Sequence, residues 1–395
     1  MSKTCQRLLV SALLTLAGLL FAMLILEGAL RVFPPDWLRQ RMREINAGQQ
    51  VFFDSDEGWP LECSDTGCLR FTPGSKFRVI TREYNHSVAI DEHGARATSV
   101  PISGEGPVVP FLGDSFTFGI GVEDTETFVS LLDSGSAADY LNLGISGNSL
   151  PQQIDIVNKR HRELGSPSLY VFVFFVGNDF QNLVESHSGA DIEVSASGEG
   201  STADRYRTLN SRLSWLSRTN EYVLNHSALR RLYLLQWARH KVLLLVNRAN
   251  ADLMDPVFLI MRTGRSYLPG ARQYFEQELR RLEDTARKLD FDFAFVILPD
   301  RHQINSGLLE AKSAYYGLST ETIDPTLPNR ALAAAFDAHA VSYIDITDCL
   351  ASSAEVQALY YSRDNHFTAQ GHRAAAECMS SGMEEIVRAT LSLSN

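Results

Sequence analysis

The chain has 395 residues, 45% hydrophobic and 21% charged. Those are the proportions of a globular chain, and they exclude wholesale disorder and a multi-span membrane bundle. Against 47 Asp and Glu stand 36 Lys and Arg, a net charge of −11. That balance argues against a general nucleic-acid binder, whose affinity comes from neutralising phosphates. The length suits two or three average domains, or one large α/β domain with insertions.

Leu8–Leu26 is an uncharged apolar run of 19 residues, preceded by Lys3 and Arg7 and closed by Glu27 and Arg31. As a helix it spans about 28 Å, one bilayer core. A cleaved signal peptide competes with an uncleaved anchor. The run is long for a signal and shows no clear small-x-small cleavage site before the charges return, which favours the anchor. Either reading exports the rest of the chain. Orientation is a separate matter, because Arg31, Arg39, Arg41 and Arg43 outnumber the two basic residues ahead of the run, and the positive-inside rule then does not favour export.

Of the five cysteines, Cys5 precedes the run, leaving Cys63, Cys68, Cys349 and Cys378. An even number in an exported domain suggests disulfides. Cys63 with Cys68 would close a short loop, and Cys349 with Cys378 would tie a late strand end to the last helix. Four free thiols are the alternative. The C-x4-C spacing has no matching second pair, so no zinc or other metal is expected.

The organisation reads as an anchor over 1–33, a juxtamembrane linker with an irregular or β lead-in over 34–106, and an α/β domain over 107–395. Pro34-Pro35 breaks the anchor helix, residues 36–50 are polar, and 52–97 are turn-rich. From there short apolar runs recur: Val108–Leu112, Tyr140–Leu143, Leu169–Val176, Phe291–Leu298 and Val341–Ile346. Near-continuous runs suit strands buried on both faces of a parallel sheet. Thr127–Leu132, Leu150–Leu164, Ala271–Leu289 and Ala369–Thr390 have helical spacing between or after them. The alternation predicts a three-layer α/β/α sandwich around a mostly parallel five-stranded sheet, flavodoxin-like in outline. Pro110 is a misfit, since a central strand loses a ladder bond there. Residues 181–270 interrupt the rhythm. Gly189–Thr202 reads as a mobile loop. Arg205–Arg248, where Trp215, Leu224 and Trp237 mix with Arg218, Arg230 and Lys241, reads as an α-helical insertion. It is either a packing helix with a solvated basic face, or a cap or surface for anionic glycans or lipid headgroups.

In open α/β sheets the chemistry gathers at the carboxyl ends of the strands. The first strand is followed by Gly113-Asp114-Ser115, the second by Gly144-Ile145-Ser146-Gly147, the third by Gly177-Asn178-Asp179, and the fifth, just before the last helix, by Asp364-Asn365-His366. This set is sufficient for acyl transfer. Ser115 supplies a hydroxyl nucleophile, His366 the base that activates it, and Asp364 the carboxylate that orients the imidazole. The backbone N–H groups of Ser115 and Gly147 and the Asn178 amide can receive the oxyanion. His302, after the fourth strand, competes as a base and otherwise reads as a substrate contact or a plain loop histidine. His372 reads as packing or helix surface, Asp114 as the brace of the nucleophile turn, and Asp179 as a cap for the next segment. Asn142 would fix the Gly147 loop, and Thr368 would cap the last helix.

These four blocks, in this order, resemble the SGNH (GDSL-like) hydrolase superfamily from about Phe111 to Met383. The anchor, the lead-in Asp56-Glu57-Gly58-Trp59, the stretch His93-Gly94-Ala95-Arg96, the run Gly113-Asp114-Ser115-Phe116-Thr117-Phe118-Gly119 and the ending Asp364-Asn365-His366-Phe367-Thr368 are together similar to a membrane-anchored branch, alginate O-acetyltransferase-like proteins. There are departures. The usual spacing is Asp-x-x-His, but Arg363 stands three before His366, and the acid sits two before, as in the alginate-type proteins. Phe116 replaces the usual Leu. The resemblance implies a serine acyl-esterase or O-acyltransferase, often for acetyl groups, that acts on exopolysaccharide or envelope glycan. It implies a catalytic domain in the periplasm of a bacterial inner-membrane protein. It also implies no cofactor, and for a transferase an acyl donor delivered by a membrane partner. A non-catalytic glycan-binding or assembly subunit and a lipid esterase are the alternatives. A nucleotide or flavin binder is disfavoured, because no glycine-rich phosphate loop stands at a strand–helix junction.

Overall fold

The computed structural model describes residues 3–36, 38–39, 42, 59–64, 67–81, 83–99, 106–133, 138–188, 219, 222–223, 226, 228–249, 255–262 and 266–393. The 189–202 loop, most of the 36–58 segment, and Trp215, Arg218 and Leu224 of the insertion lie outside the described residues. Contacts gather into two units, residues 1–50 with 210–250, and residues 51–209 with 251–395.

The first unit contains helix α1, Lys3–Val32. Its Val10–Val32 stretch has a mean hydropathy of 2.2 and is long and apolar enough to cross a membrane. Near its end Glu27 pairs with Arg31 at 2.7 Å and accepts the Tyr233 and Leu234 N–H groups at 3.1 and 2.7 Å. Those N–H groups open the helix Tyr233–Ala249, where a carboxylate is favourable.

In the second unit two hairpins come first: β1 (Leu61–Ser64) with β2 (Gly67–Phe71), and β3 (Lys76–Ile80) with β4 (Asn85–Ala89). The cystine Cys63–Cys68 joins β1 to β2. The lead-in here is made of these β-hairpins. Phe71, Phe77, Val79 and Val88 are buried in the same core as the main sheet, and Phe71 stacks on Phe118 at 4.9 Å. Alternating apolar residues on short hairpins need a surface to cover, and the α/β domain offers one.

The main sheet is parallel, in the order β6-β5-β7-β8-β9. Its strands are β5 Val108–Leu112, β6 Asp139–Asn142, β7 Leu169–Phe175, β8 Asp292–Leu298 and β9 Ser342–Asp345. Pro110 is accommodated by register. It pairs with Leu141 on the β6 side, while the ladder to β7 begins only at Phe111. Along β7 the side chains alternate between two cores. Tyr170, Phe172 and Phe174 enter one, and Val171, Val173 and Phe175 enter the other. This two-sided burial is the three-layer sandwich expected from the apolar runs.

The helices of this unit, in chain order, are α2 (Ser115–Phe118), α3 (Phe128–Asp133), α4 (Leu150–Arg160), α5 (Asp179–Ser188), and, after the first unit's helix α6 (Tyr233–Ala249), α7 (Leu268–Leu289). Then come α8 (Arg301–Ile304), α9 (Ser306–Tyr316), α10 (Leu327–Ala338), α11 (Thr347–Ala351) and α12 (Ala369–Leu393). The cystine Cys349–Cys378 ties α11 to α12. The interruption is shorter than 181–270. Helix α5 continues the domain to Ser188, and Val257–Met261 is buried in its core, as five consecutive apolar residues require.

Candidate active site

The β5 end turns sharply into α2. Asp114 caps this turn, its Oδ1 accepting the Phe116 N–H at 2.8 Å. Ser115 is thereby the first residue of the helix, 6% exposed. The β6 exit packs tightly against it. A side chain at Gly144 would meet the Phe118 nitrogen at 2.2 Å, so only glycine lets the two turns approach. Asn142 locks them, donating to the Thr117 carbonyl at 2.7 Å and accepting the Gly144 N–H at 3.1 Å. Buried Arg96 adds a second lock, donating to the carbonyls of Phe118, Gly119 and Val122 at 2.7, 2.5 and 2.5 Å and pairing with Asp124 at 2.8 Å.

The loop before α12 brings the imidazole. His366 Nε2 stands 2.7 Å from Ser115 Oγ, and His366 Nδ1 bonds Asp364 Oδ1. Asp364 Oδ1 also accepts the His366 N–H at 3.1 Å, which closes a small turn around the pair. Phe116 lies under the ring at 5.2 Å. Thr368 caps α12 through its Oγ1, 3.2 Å from the Gly371 N–H, so the loop ends on a fixed helix start. Burial alone would raise the Asp364 carboxyl, but the hydrogen bond and charge of His366 and the Tyr84 hydroxyl bring it down to about 2. It is therefore a carboxylate across the neutral range. A serine hydroxyl, an imidazole and a carboxylate in line can move a proton from Oγ to Nε2 while Nδ1–H stays on the acid.

Two of the expected oxyanion donors follow strand ends, Gly147 after β6 and Asn178 after β7. Gly147 takes φ +83° and is exposed, with nothing within 4 Å of where a Cβ would be. Asn178 follows β7, and its amide holds Asp114, lowering a carboxyl that burial raises. Asp179 is not a forward cap. Its Oδ2 reaches back to the Phe175 N–H at 2.8 Å, and burial together with the Asp114 charge lifts its carboxyl well above the ordinary range. His372 is a packing residue, fully buried against Phe128, with Nδ1 accepting the Phe128 N–H at 3.2 Å.

His302 is not in the line with Ser115. It forms its own pair, with Nδ1 2.5 Å from Asp300 Oδ1. No residue in the sequence pointed to a further brace, the β3–β4 turn. Tyr84 donates its hydroxyl to Asp364 Oδ2 at 2.6 Å. Glu83 accepts the N–H groups of Arg363 and Asp364 at 3.1 and 2.7 Å and the Ser362 hydroxyl at 2.7 Å. Burial and the Asp364 charge push the Tyr84 phenol well above its ordinary value, so it remains a donor. These links span about 280 positions, and a polar turn in a hairpin carries no local sign of such a partner.

The chain matches no protein-family model and no curated protein. Solved structures similar to it include a lipolytic protein of the G-D-S-L family from Desulfitobacterium hafniense, 11% identical, covering 70% of this chain and 99% of that one at a TM-score of 0.35. Another is the lipase/acylhydrolase from Enterococcus faecalis, 11% identical, covering 71% and 96% at 0.35. A third is a psychrotrophic esterase from Pseudoalteromonas, 10% identical, covering 71% and 99% at 0.35. The chemistry of the site rests on its own side chains.

Proposed function

We propose that this protein is a membrane-anchored serine acyl-esterase or O-acyltransferase of SGNH type. The observation that carries the reading is the 2.7 Å approach of His366 Nε2 to Ser115 Oγ, with Asp364 behind the imidazole. Ser115 Oγ attacks the ester carbonyl as its proton passes to His366 Nε2. The oxyanion forms beside the Ser115 and Gly147 N–H groups and the Asn178 amide. His366 then returns the proton to the leaving alcohol, and the acyl group remains on Ser115. Water or a second hydroxyl, deprotonated by the same Nε2, releases it. Every proton moves between Oγ, Nε2 and the substrate oxygens, so the cycle needs no cofactor.

Export, anchoring by α1 and the branch resemblance favour acyl groups, acetyl first, on exopolysaccharide or envelope glycan at the periplasmic face. The two cystines suit that oxidising compartment. A transferase would draw its acyl group from a membrane partner. The test is turnover of an aryl acetate by the full chain in detergent beside its Ser115→Ala variant, with and without a glycan acceptor. A serine-dependent rate supports the reading, and acyl transfer to the glycan separates transferase from hydrolase. Equal rates in the two proteins would sink it in favour of a binding or assembly subunit.

A further inference from the structure

The end of β8 repeats the local geometry of the His366 loop. In both, an aspartate two residues ahead of a histidine accepts that histidine's backbone N–H and its Nδ1 on one oxygen. The first bond is 2.9 Å for Asp300–His302 and 3.1 Å for Asp364–His366. The two turns are fastened together. Asn365, between Asp364 and His366, donates its amide to Asp300 Oδ2 at 3.1 Å. Arg301 donates to the Tyr361 carbonyl at 3.2 Å, and the Tyr360 hydroxyl to the Pro299 carbonyl at 2.6 Å. Asp300 also adjoins the β7 end. A side chain added at Gly177 would lie 3.0 Å from its Oδ2.

The second imidazole differs in what it faces. Its Nδ1 is taken by a fully buried carboxylate, which burial would raise but the His302 hydrogen bond and charge hold below the ordinary value. Its Nε2 has no hydrogen-bond partner among the described residues, and the side chain is 14% exposed. A plain loop histidine needs no buried carboxylate to fix its ring. Arg301, between the two members of the pair, lines a groove of about 340 Å³ together with Asn305, Leu308, Tyr360, Tyr361 and Ser362.

We propose that His302, oriented by Asp300, is a hydroxyl-binding subsite for the alcohol portion of the ester, and that this portion is a polyol such as a sugar. The proposal rests on the serine acyl-transfer reading. With Nδ1–H given to Asp300, Nε2 presents a lone pair, so its complement is an O–H or N–H donor. The side of the site follows from the chemistry. His366 protonates the leaving alcohol, so the alcohol lies on the His366 side of Ser115. The Asp300–His302 turn is fastened to that side through Asn365. In reverse, the same contact would hold an acceptor hydroxyl-bearing ring for transfer.

The test uses the full-length protein in detergent with two acetyl esters that differ in their alcohol, ethyl acetate and 6-O-acetylglucose. The expected result is a kcat/KM for the sugar ester about tenfold above that for ethyl acetate, the value of one hydrogen bond of about 1.4 kcal/mol. His302→Ala should abolish that ratio through KM. His302→Gln, whose amide can still accept, should keep part of it. A wild-type protein that does not prefer the sugar ester overturns the proposal. So does a His302→Ala variant that loses rate equally on both esters, with the ratio unmoved. Failure of the underlying reading shows separately, as Ser115→Ala retaining turnover of both.

Discussion

The two Asp-x-His turns are nearly the same object placed in two neighbourhoods. Each fixes a histidine by its Nδ1 on the preceding aspartate. His366 Nε2 meets a serine hydroxyl at 2.7 Å; His302 Nε2 meets no hydrogen-bond partner among the described residues. The local motif supplies an oriented imidazole, and the surroundings supply its task. The surroundings of His366 are richer. Its acid is held on the outer oxygen by Tyr84 and its loop by Glu83, both on the β3–β4 turn, whereas Asp300 is held from within by Asn365.

Removing the proposed reacting pair tests this contrast hardest. Ser115→Ala or His366→Ala should lower kcat on an aryl acetate by at least about 10³-fold and up to about 10⁶-fold. If His302→Ala matches that loss and His366→Ala does not, the two turns have been assigned the wrong way round. Next in size is Asp364→Asn. It keeps the shape of the turn but offers the imidazole an amide, and kcat should fall about 10³–10⁴-fold through the wrong tautomer. Steady-state kinetics with thermal melts as a folding control would decide it.

A smaller effect probes the brace. Tyr84→Phe removes one hydrogen bond to a charged group, worth about 1.5–3 kcal/mol at most, and should cost about tenfold in kcat. It also carries a pH signature. The folded Asp364 carboxyl lies below its ordinary value, at about 2. What it contributes is therefore present above the ordinary carboxylate range and lost as pH falls through about 2. Without the Tyr84 hydroxyl the carboxyl rises, so the acid loss of melting temperature should begin at a higher pH. An acid melting profile that Tyr84→Phe leaves unmoved would reduce Tyr84 to packing.

The smallest effect concerns Asp179, whose carboxyl feels the Asp114 charge of the β5–α2 turn. Its folded carboxyl is raised by burial and by Asp114. The stability it lends is therefore full below the ordinary Asp range and declines as pH rises through the raised value. Asp179→Asn keeps an acceptor for the Phe175 N–H and cannot ionise, so it should melt higher than wild type at pH 8 and by less, or not at all, at pH 5. A melting difference that is the same at both pH values would remove ionisation from the account.

The sheet and the serine, histidine and aspartate gathered at its edge were legible in local sequence. The apolar runs marked all five strands within about two residues; β5, β6 and β7 are buried almost throughout, as strands covered on both faces need unbroken hydrophobicity, whereas the edge strand β9 is only half-buried. Ser115, Asp364 and His366 could be read because each stands directly behind a strand or ahead of a helix, where backbone geometry limits where a side chain goes. Folding decided what joins distant positions. It put the lead-in hairpins into the core, chose His366 over His302 as the neighbour of Ser115, turned Asp179 back onto β7, and set Glu83 and Tyr84 against the acid loop. Those outcomes depend on which surfaces meet after the chain has folded, and a hydrogen bond between residues 84 and 364 leaves no periodicity, cap or turn signal in either segment.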